Sequence, residues 1–240
     1  MMTCTSYSCQ VTSSETTATP APPARLTKGA VVDRALQLAD AVGLDALTIR
    51  KLATELGVTP MALYWHFRSK DELLVALCEQ IWAEIDLDVD QSAPWPDQLR
   101  AMLGSLVGVL RAHPSGPQLI LAHEKEGTAS MRAAELALSL LRGVGFSPEQ
   151  ASEITRGALW HALSLVMSEP GFEPDVKASL TDSERAEHQR RKQVKIAMLP
   201  SEQYPVLVEC AVPFTTVDPD FHYRFGIDLF VAGVQALAPA

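Results

Sequence analysis

Apolar side chains recur along this chain at intervals of three and four residues, the spacing of helices that bury one face. No stretch alternates convincingly as a strand would, so the pattern predicts an all-α fold. Val31, Ala35, Leu38, Ala39 and Val42 predict a helix over 28–42, capped by Thr27 and ended at Gly43. Ile49, Leu52, Ala53 and Leu56 mark a second, short helix. Gly57 suits the left-handed position that closes it. Thr59 is a good N-cap, and Pro60 fits the first helical position, where a missing N–H costs nothing. Met61, Leu63, Tyr64 and Phe67 carry this third helix. Two short helices joined by a glycine turn form a helix-turn-helix, whose second helix lies in the major groove of DNA. Leu74, Leu77, Ile81 and Ile85 then predict a helix over 71–87, with Ser69 as N-cap and Glu72 as its capping-box partner. That helix is too long to serve only the first three, so it links them to the remainder of the chain.

The acidic, polar stretch 86–94 reads as a linker. A helix over 96–112 carries Leu99, Leu103, Leu106 and Leu110 and is stopped by Pro114. A short apolar segment over 116–123 precedes helices over 128–142 and 148–167, the latter capped by Ser147. Residues 168–180 read as a loop and 201–211 as a short helix. The last helix spans 221–237. The chain thus divides into a disordered Ser/Thr/Pro/Ala arm over 1–24, a helix-turn-helix domain over 25–78, and a larger helical domain over 79–240.

The helix over 148–167 is apolar on most sides. Ile154, Ala158, His161, Ala162 and Leu165 form one stripe, and Trp160, Leu163 and Met167 another. One face can meet a second subunit while the other lines a cavity; an ordinary central core helix is the other reading. Phe225, Leu229 and Gly233 share a face of the last helix, where a small residue suits close packing between subunits. The expected dimer interface is therefore Ile154, Ala158, Ala162, Leu165, Phe225, Leu229 and Gly233.

Charge refines this picture. The chain carries −9 over 240 residues, which argues against a generally basic nucleic-acid coat. Residues 25–78 nevertheless hold seven Lys/Arg against six acids, a balance of +1 that leaves −10 for the remainder. A near-neutral reader on an acidic body fits DNA contact at one end. The run over 182–195 is highly charged and reads as a solvated helix or loop; its Arg190, Arg191 and Lys192 are a minor candidate for DNA contact. Cys4, Cys9, Cys78 and Cys210 form no CxxC pair and no zinc spacing, which points to free thiols in a reducing cytoplasm. The arm lacks the apolar core and positive start of a secretory signal, and no apolar run reaches the length of a membrane span. No nucleophile–base pair or phosphate-binding glycine loop suggests an enzyme.

The run LTIRKLATELGVTPMALYWHFRSKDELL, over 47–74, resembles the N-terminal DNA-binding domain of TetR-family transcriptional regulators. The likeness extends over 26–77. Residues 95–240 are similar in pattern and helix order to the tetracycline-repressor branch, above all at WHALS and RFGIDLFVAGVQAL. The resemblance implies a homodimeric repressor on a palindromic operator, released by a small-molecule effector. By position it implies base reading by Thr48, Arg50, Thr59, Met61 and Ala62, and phosphate contacts by Tyr64, Trp65, His66 and Lys70. Arg50 is the natural bidentate partner of a guanine edge. Pro60, Met61 and Ala62 are poor hydrogen bonders and suit thymine methyls. Where the tetracycline repressor places its drug-contacting Asn and magnesium-binding His, this chain has Met102 and Ile120, which cannot do that work. The expected pocket is Met102, Leu106, Ile120, His123, Trp160, His161 and Met167, taking a mostly apolar effector without metal or cofactor. The contrasting reading is a helical dimer that binds small molecules or proteins but not DNA.

Overall fold

The computed structural model describes residues 26–123, 127–169, 181–216 and 218–239. The expectations for the arm over 1–24, for Cys4 and Cys9, and for most of the loop over 168–180 fall outside the described residues. Every regular element among the described residues is helical.

Local chemistry sets the first elements. The Thr27 hydroxyl accepts the Ala30 N–H at 3.2 Å and starts α1 (Lys28–Val42), which Gly43 ends. The Thr48 hydroxyl accepts the Lys51 N–H at 3.1 Å and starts α2 (Ile49–Leu56). Gly57 comes next at φ 66, a left-handed geometry that releases its N–H to the carbonyls of Ala53 and Thr54. Thr59 caps α3 (Pro60–Tyr64), and Ser69 caps α4 (Lys70–Ala83). The Glu72 carboxylate takes the Arg68 N–H at 2.8 Å rather than that of Ser69, so the capping box is shifted by one residue.

α4 ends four residues short of the expected 87. Its C-terminus runs into Glu84, Asp86 and Asp88, negative charges at the negative end of the helix dipole. Ile85 stays buried beyond the helix end, and the Asp86 N–H is taken by the Ser105 hydroxyl at 2.8 Å. The body consists of α5 (Trp95–Ala112), α6 (Gly116–Ala122), α7 (Thr128–Val144) and α8 (Pro148–Met167), the last with a complete capping box from Ser147 and Gln150. The charged run forms α9 (Asp182–Ala197). The single helix expected over 201–211 is instead two short ones, α10 (Pro205–Glu209) and α11 (Ala211–Thr215), because Pro213 has no N–H to continue a longer ladder. α9 packs on both. α12 (Pro219–Ala236) closes the chain against α5 and α8.

The reader core consists of Val31, Ala35, Leu47, Leu52, Leu63, Phe67 and Leu73, all essentially inaccessible. It continues along α4 through Leu77 and Ile81 into a body core of Leu103, Leu110, Leu119, Leu141, Phe146, Leu163 and Val231. On α12, a Cβ at Gly226 would lie 2.3 Å from a Leu165 methyl, so a larger residue there would displace the Leu165 side chain. Phe67 is 1% exposed at the centre of the reader. Phe67→Ala should cost about 3–5 kcal/mol in chemical denaturation; a loss below about 1 kcal/mol would contradict the burial described.

Candidate DNA-reading surface and effector cavity

The caps that build the helix-turn-helix also decide which groups remain for a ligand. The hydroxyls of Thr48 and Thr59 each accept one backbone N–H and keep their own hydrogens to donate outward. Arg50 is exposed at the start of α2, and among the described residues no ion pair or hydrogen bond engages its guanidinium. Pro60 and Met61 are exposed and Ala62 half-buried at the start of α3. Tyr64 and Trp65 end it in the open, Trp65 at 85% exposure, with His66 half-buried beside them. Met61, Tyr64 and Trp65 thus form an exposed apolar cluster at α3, the kind of surface that marks a candidate contact site. Lys70 differs from a free phosphate contact: its Nζ donates to the Leu44 carbonyl at 3.1 Å, tying α4 to the α1–α2 turn and leaving two N–H groups. Arg34 is bound to Glu55 at 2.5 Å on the reader's flank.

The second feature is a half-open cavity of about 250 Å³ bounded by the end of α4, α5, α7 and α8. Its walls are Trp82, Ile85, Leu99, Met102, Leu103 and Leu106 on one side, and Ala133, Ala137, Leu138, Ala158 and Leu159 on the other. A groove of about 490 Å³ adjoins it through Leu87 and Met102 and runs past Trp95 and Gln98. Polar groups on the inner wall are few. Ser130 donates to the Gly127 carbonyl, Ser152 to that of Pro148, and Arg156 pairs with Glu153. The buried Thr155 Oγ1 lines the same wall without a hydrogen-bond partner among the described residues. Among the described residues the inner wall holds no carboxylate or imidazole, a donor set that does not suit a magnesium ion.

Only Met102 and Leu106 of the expected pocket residues line this cavity. Ile120 is buried in the core outside it. His123 lies by α4, its Nδ1 3.8 Å from the Asp71 carboxylate and its carbonyl accepting from Cys78 Sγ. His161 bonds the Gly226 carbonyl at 2.8 Å and stacks on Phe230, so it serves α8–α12 packing. Trp160 and Met167 point outward, at 57% and 43% exposure. The expected interface residues divide too. Phe225, Leu229 and Gly233 are exposed, whereas Ala162 and Leu165 are buried within the chain, Ile154 is half-buried against the core, and Ala158 lines the cavity. On α8 the first stripe thus packs within the chain's own fold, while Trp160 and Met167 of the second are exposed and its Leu163 is buried. A helix apolar on most sides does not say which stripe faces its own fold.

Residues 31–77 match the family described as bacterial regulatory proteins, tetR family, and residues 90–238 match the tetracyclin repressor-like C-terminal domain. The chain belongs to the TetR family. The HTH-type transcriptional repressor DrrR1 of Streptomyces coeruleorubidus is 31% identical over 221 residues, covering 90% of this chain and 80% of that protein. The class C tetracycline repressor of Escherichia coli is 28% identical over 219 residues, 89% of this chain and 92% of the repressor. The crystal structure of the Streptomyces coelicolor TetR family protein ActR in complex with actinorhodin superposes with a TM-score of 0.75 at 28% identity, over 90% of this chain and 98% of that one. These relatives are regulators rather than enzymes, and this TetR-family chain is a helix-turn-helix transcriptional regulator.

One contact between reader and cavity leaves no motif in the sequence. Gly127 caps α7 but has no side chain to satisfy the helix N–H groups. The Glu79 carboxylate of α4 does so instead, accepting the Ala129 N–H at 2.7 Å. A Cβ on Gly127 would collide with that carboxylate as it stands, so a larger residue there would displace it. An acid on a different helix, far from α7 in sequence, is invisible to local reading.

Arg50→Ala should weaken binding to a specific operator by roughly 1–3 kcal/mol and relax the preference at one base pair, with non-specific affinity little changed. Anisotropy titrations on matched and single-substituted duplexes measure both. Equal affinities for wild type and variant across all duplexes would remove Arg50 from base reading.

Proposed function

We propose that this TetR-family regulator acts as a homodimeric, cytoplasmic repressor that binds a palindromic operator and is released by an uncharged, largely apolar polycyclic effector. The observation that carries this reading is the cavity: apolar, walled by both α4 and the body helices, and fitted with one unsatisfied hydroxyl. Pockets of this composition take small molecules by burial, with a few polar groups fixing orientation. The cavity and its adjoining groove accommodate a fused-ring body with a substituent reaching past Met102. The Thr155 hydroxyl suits a carbonyl or hydroxyl on that body. Similarity to ActR, whose crystal structure holds actinorhodin, supports the same size and shape class.

The dimer reading rests on α8 and α12. These helices run antiparallel, with His161 against Gly226 and Gly157 against Phe230. Trp160 precedes His161 as Phe225 precedes Gly226, which in antiparallel helices puts both on the same side. Trp160, Met167, Phe221, Phe225 and Leu229 form an apolar face there, each 43–61% exposed. A second copy of the same face would close an isologous four-helix contact, whose two-fold axis matches a palindrome. Phe225→Asp with Leu229→Asp should give a monomer in light scattering, with operator affinity lost; a dimer that survives both charges would place the contact elsewhere.

The effector reading is tested with a panel of polycyclic aromatic quinones in thermal-shift and calorimetric titrations. Ala137→Phe, which fills the cavity, should lower effector affinity by at least about tenfold while operator binding is kept. Thr155→Val should raise stability slightly and weaken an oxygen-bearing effector by roughly 1–3 kcal/mol, because an unsatisfied buried hydroxyl is removed along with its ligand bond. Unchanged affinity in both variants would exclude this cavity. Operator should weaken effector binding by the same factor as effector weakens operator binding.

A further inference from the structure

Asp40 lies in the last turn of α1, where a carboxylate is disfavoured by the helix dipole. Its partners lie outside the reader, on the turn between α5 and α6. Asp40 Oδ1 accepts the Ser115 N–H at 3.1 Å and the Ser115 hydroxyl at 2.5 Å. Its Oδ2 is 2.7 Å from His113 Nδ1. The other ring nitrogen of His113, Nε2, is 2.7 Å from Oε2 of Glu84, the residue that caps the end of α4. Ser115 is 4% exposed, and the side chains of His113 and Asp40 are each 17% exposed.

Ionised carboxylates only accept hydrogen bonds, and a neutral imidazole has a single N–H. Donation from both ring nitrogens therefore requires the imidazolium. Burial by itself would lower the pKa of His113, but the hydrogen bonds and charges of Asp40 and Glu84 outweigh it and leave the pKa raised above 6.5. Asp40 from α1 and Glu84 from α4 are the charged groups facing the ring among the described residues; the α5–α6 turn adds the neutral Ser115. One cation thus fastens the reader's first helix to the body and to the end of α4. Glu84 stands between Trp82 and Ile85, both walls of the effector cavity.

We propose that His113 is a positioning residue for operator recognition: acting through Asp40, it holds the reader domain at the orientation that binds DNA. The proposal rests on the DNA-reading assignment above. Substitution of His113 loosens the reader without touching its DNA surface. A group with a raised folded pKa stabilises fully below its unfolded value, about 6.5, and the lock is lost as pH rises through the folded value. Operator affinity falls with it.

The test uses the full chain and an operator selected by the wild type from a random-sequence duplex library. Affinities are measured by fluorescence anisotropy across neutral and mildly alkaline pH for wild type, His113→Gln and His113→Arg. His113→Gln should bind operator about tenfold more weakly at low pH, the scale of one charge-assisted hydrogen bond, with non-specific binding unchanged. Wild type should lose a similar factor as pH rises, and His113→Gln should show no such loss. His113→Arg, charged at every pH used, should bind tightly throughout. Every other side chain is the same in all three proteins, so the difference isolates His113. Unchanged or raised affinity in His113→Gln, or parallel pH profiles for wild type and His113→Arg, overturns the proposal. If His113→Gln does not fold, the comparison with His113→Arg still decides. If the wild type selects no operator, the DNA-reading assignment fails, and hydrogen exchange of the free proteins then decides the lock. The Ser115 amide and the last turn of α1 should exchange faster in His113→Gln and as in wild type in His113→Arg, with α2 and α3 unaltered. Equal exchange in all three overturns the lock itself.

Discussion

α4 belongs to two cores at once, and the rest of the molecule depends on that sharing. Its first half closes the reader through Leu73 and Leu77. Its second half enters the body through Ile81 and Trp82, and Trp82 is already a wall of the cavity. One helix with buried residues along its length joins the helix-turn-helix to the cavity. A packed helix does not deform continuously, so a change at its end must be taken up as a shift of the whole element. Glu79, capping α7, and Glu84, held by His113, fix that element to the body at two further points.

The same arrangement explains how charge is used. The body is acidic, and acids crowd the exit from α4 at Glu84, Asp86, Asp88 and Asp90. The reader is near neutral overall but sorts its charges, pairing Arg34 with Glu55 on the flank and leaving Arg50 clear. Its outward face combines that guanidinium with the exposed side chains of Met61, Tyr64 and Trp65. An acidic body discourages DNA from binding anywhere else.

The reader was legible in the sequence because local chemistry decides it. Thr27, Thr59 and Ser69 cap the helices their positions predict, Gly57 adopts the left-handed turn, and Thr48 caps α2 as well. Leu106 was readable as a cavity residue because a one-sided stripe on α5 must face inward, and Met102 came from its position in the family resemblance. α8 was not readable in that way. Its sides are nearly all apolar, and which of them faces inward depends on α12, whose Gly226 lies against Leu165 and whose Phe230 stacks on His161. Long-range polar contacts were equally hidden. Nothing near Asp40 in sequence announces Ser115, and nothing near Gly127 announces Glu79.

Hydroxyl-radical footprinting of the wild-type protein on a selected operator tests the central claim most directly, since it reads symmetry, groove and spacing together. Two equivalent protected patches related by a dyad, centred about 34–36 Å apart along one face of the duplex or at a longer spacing reached by bending, are the expected result. A single patch, or protection without two-fold symmetry, would contradict a regulator whose two reading heads are set by one shared helix in each subunit.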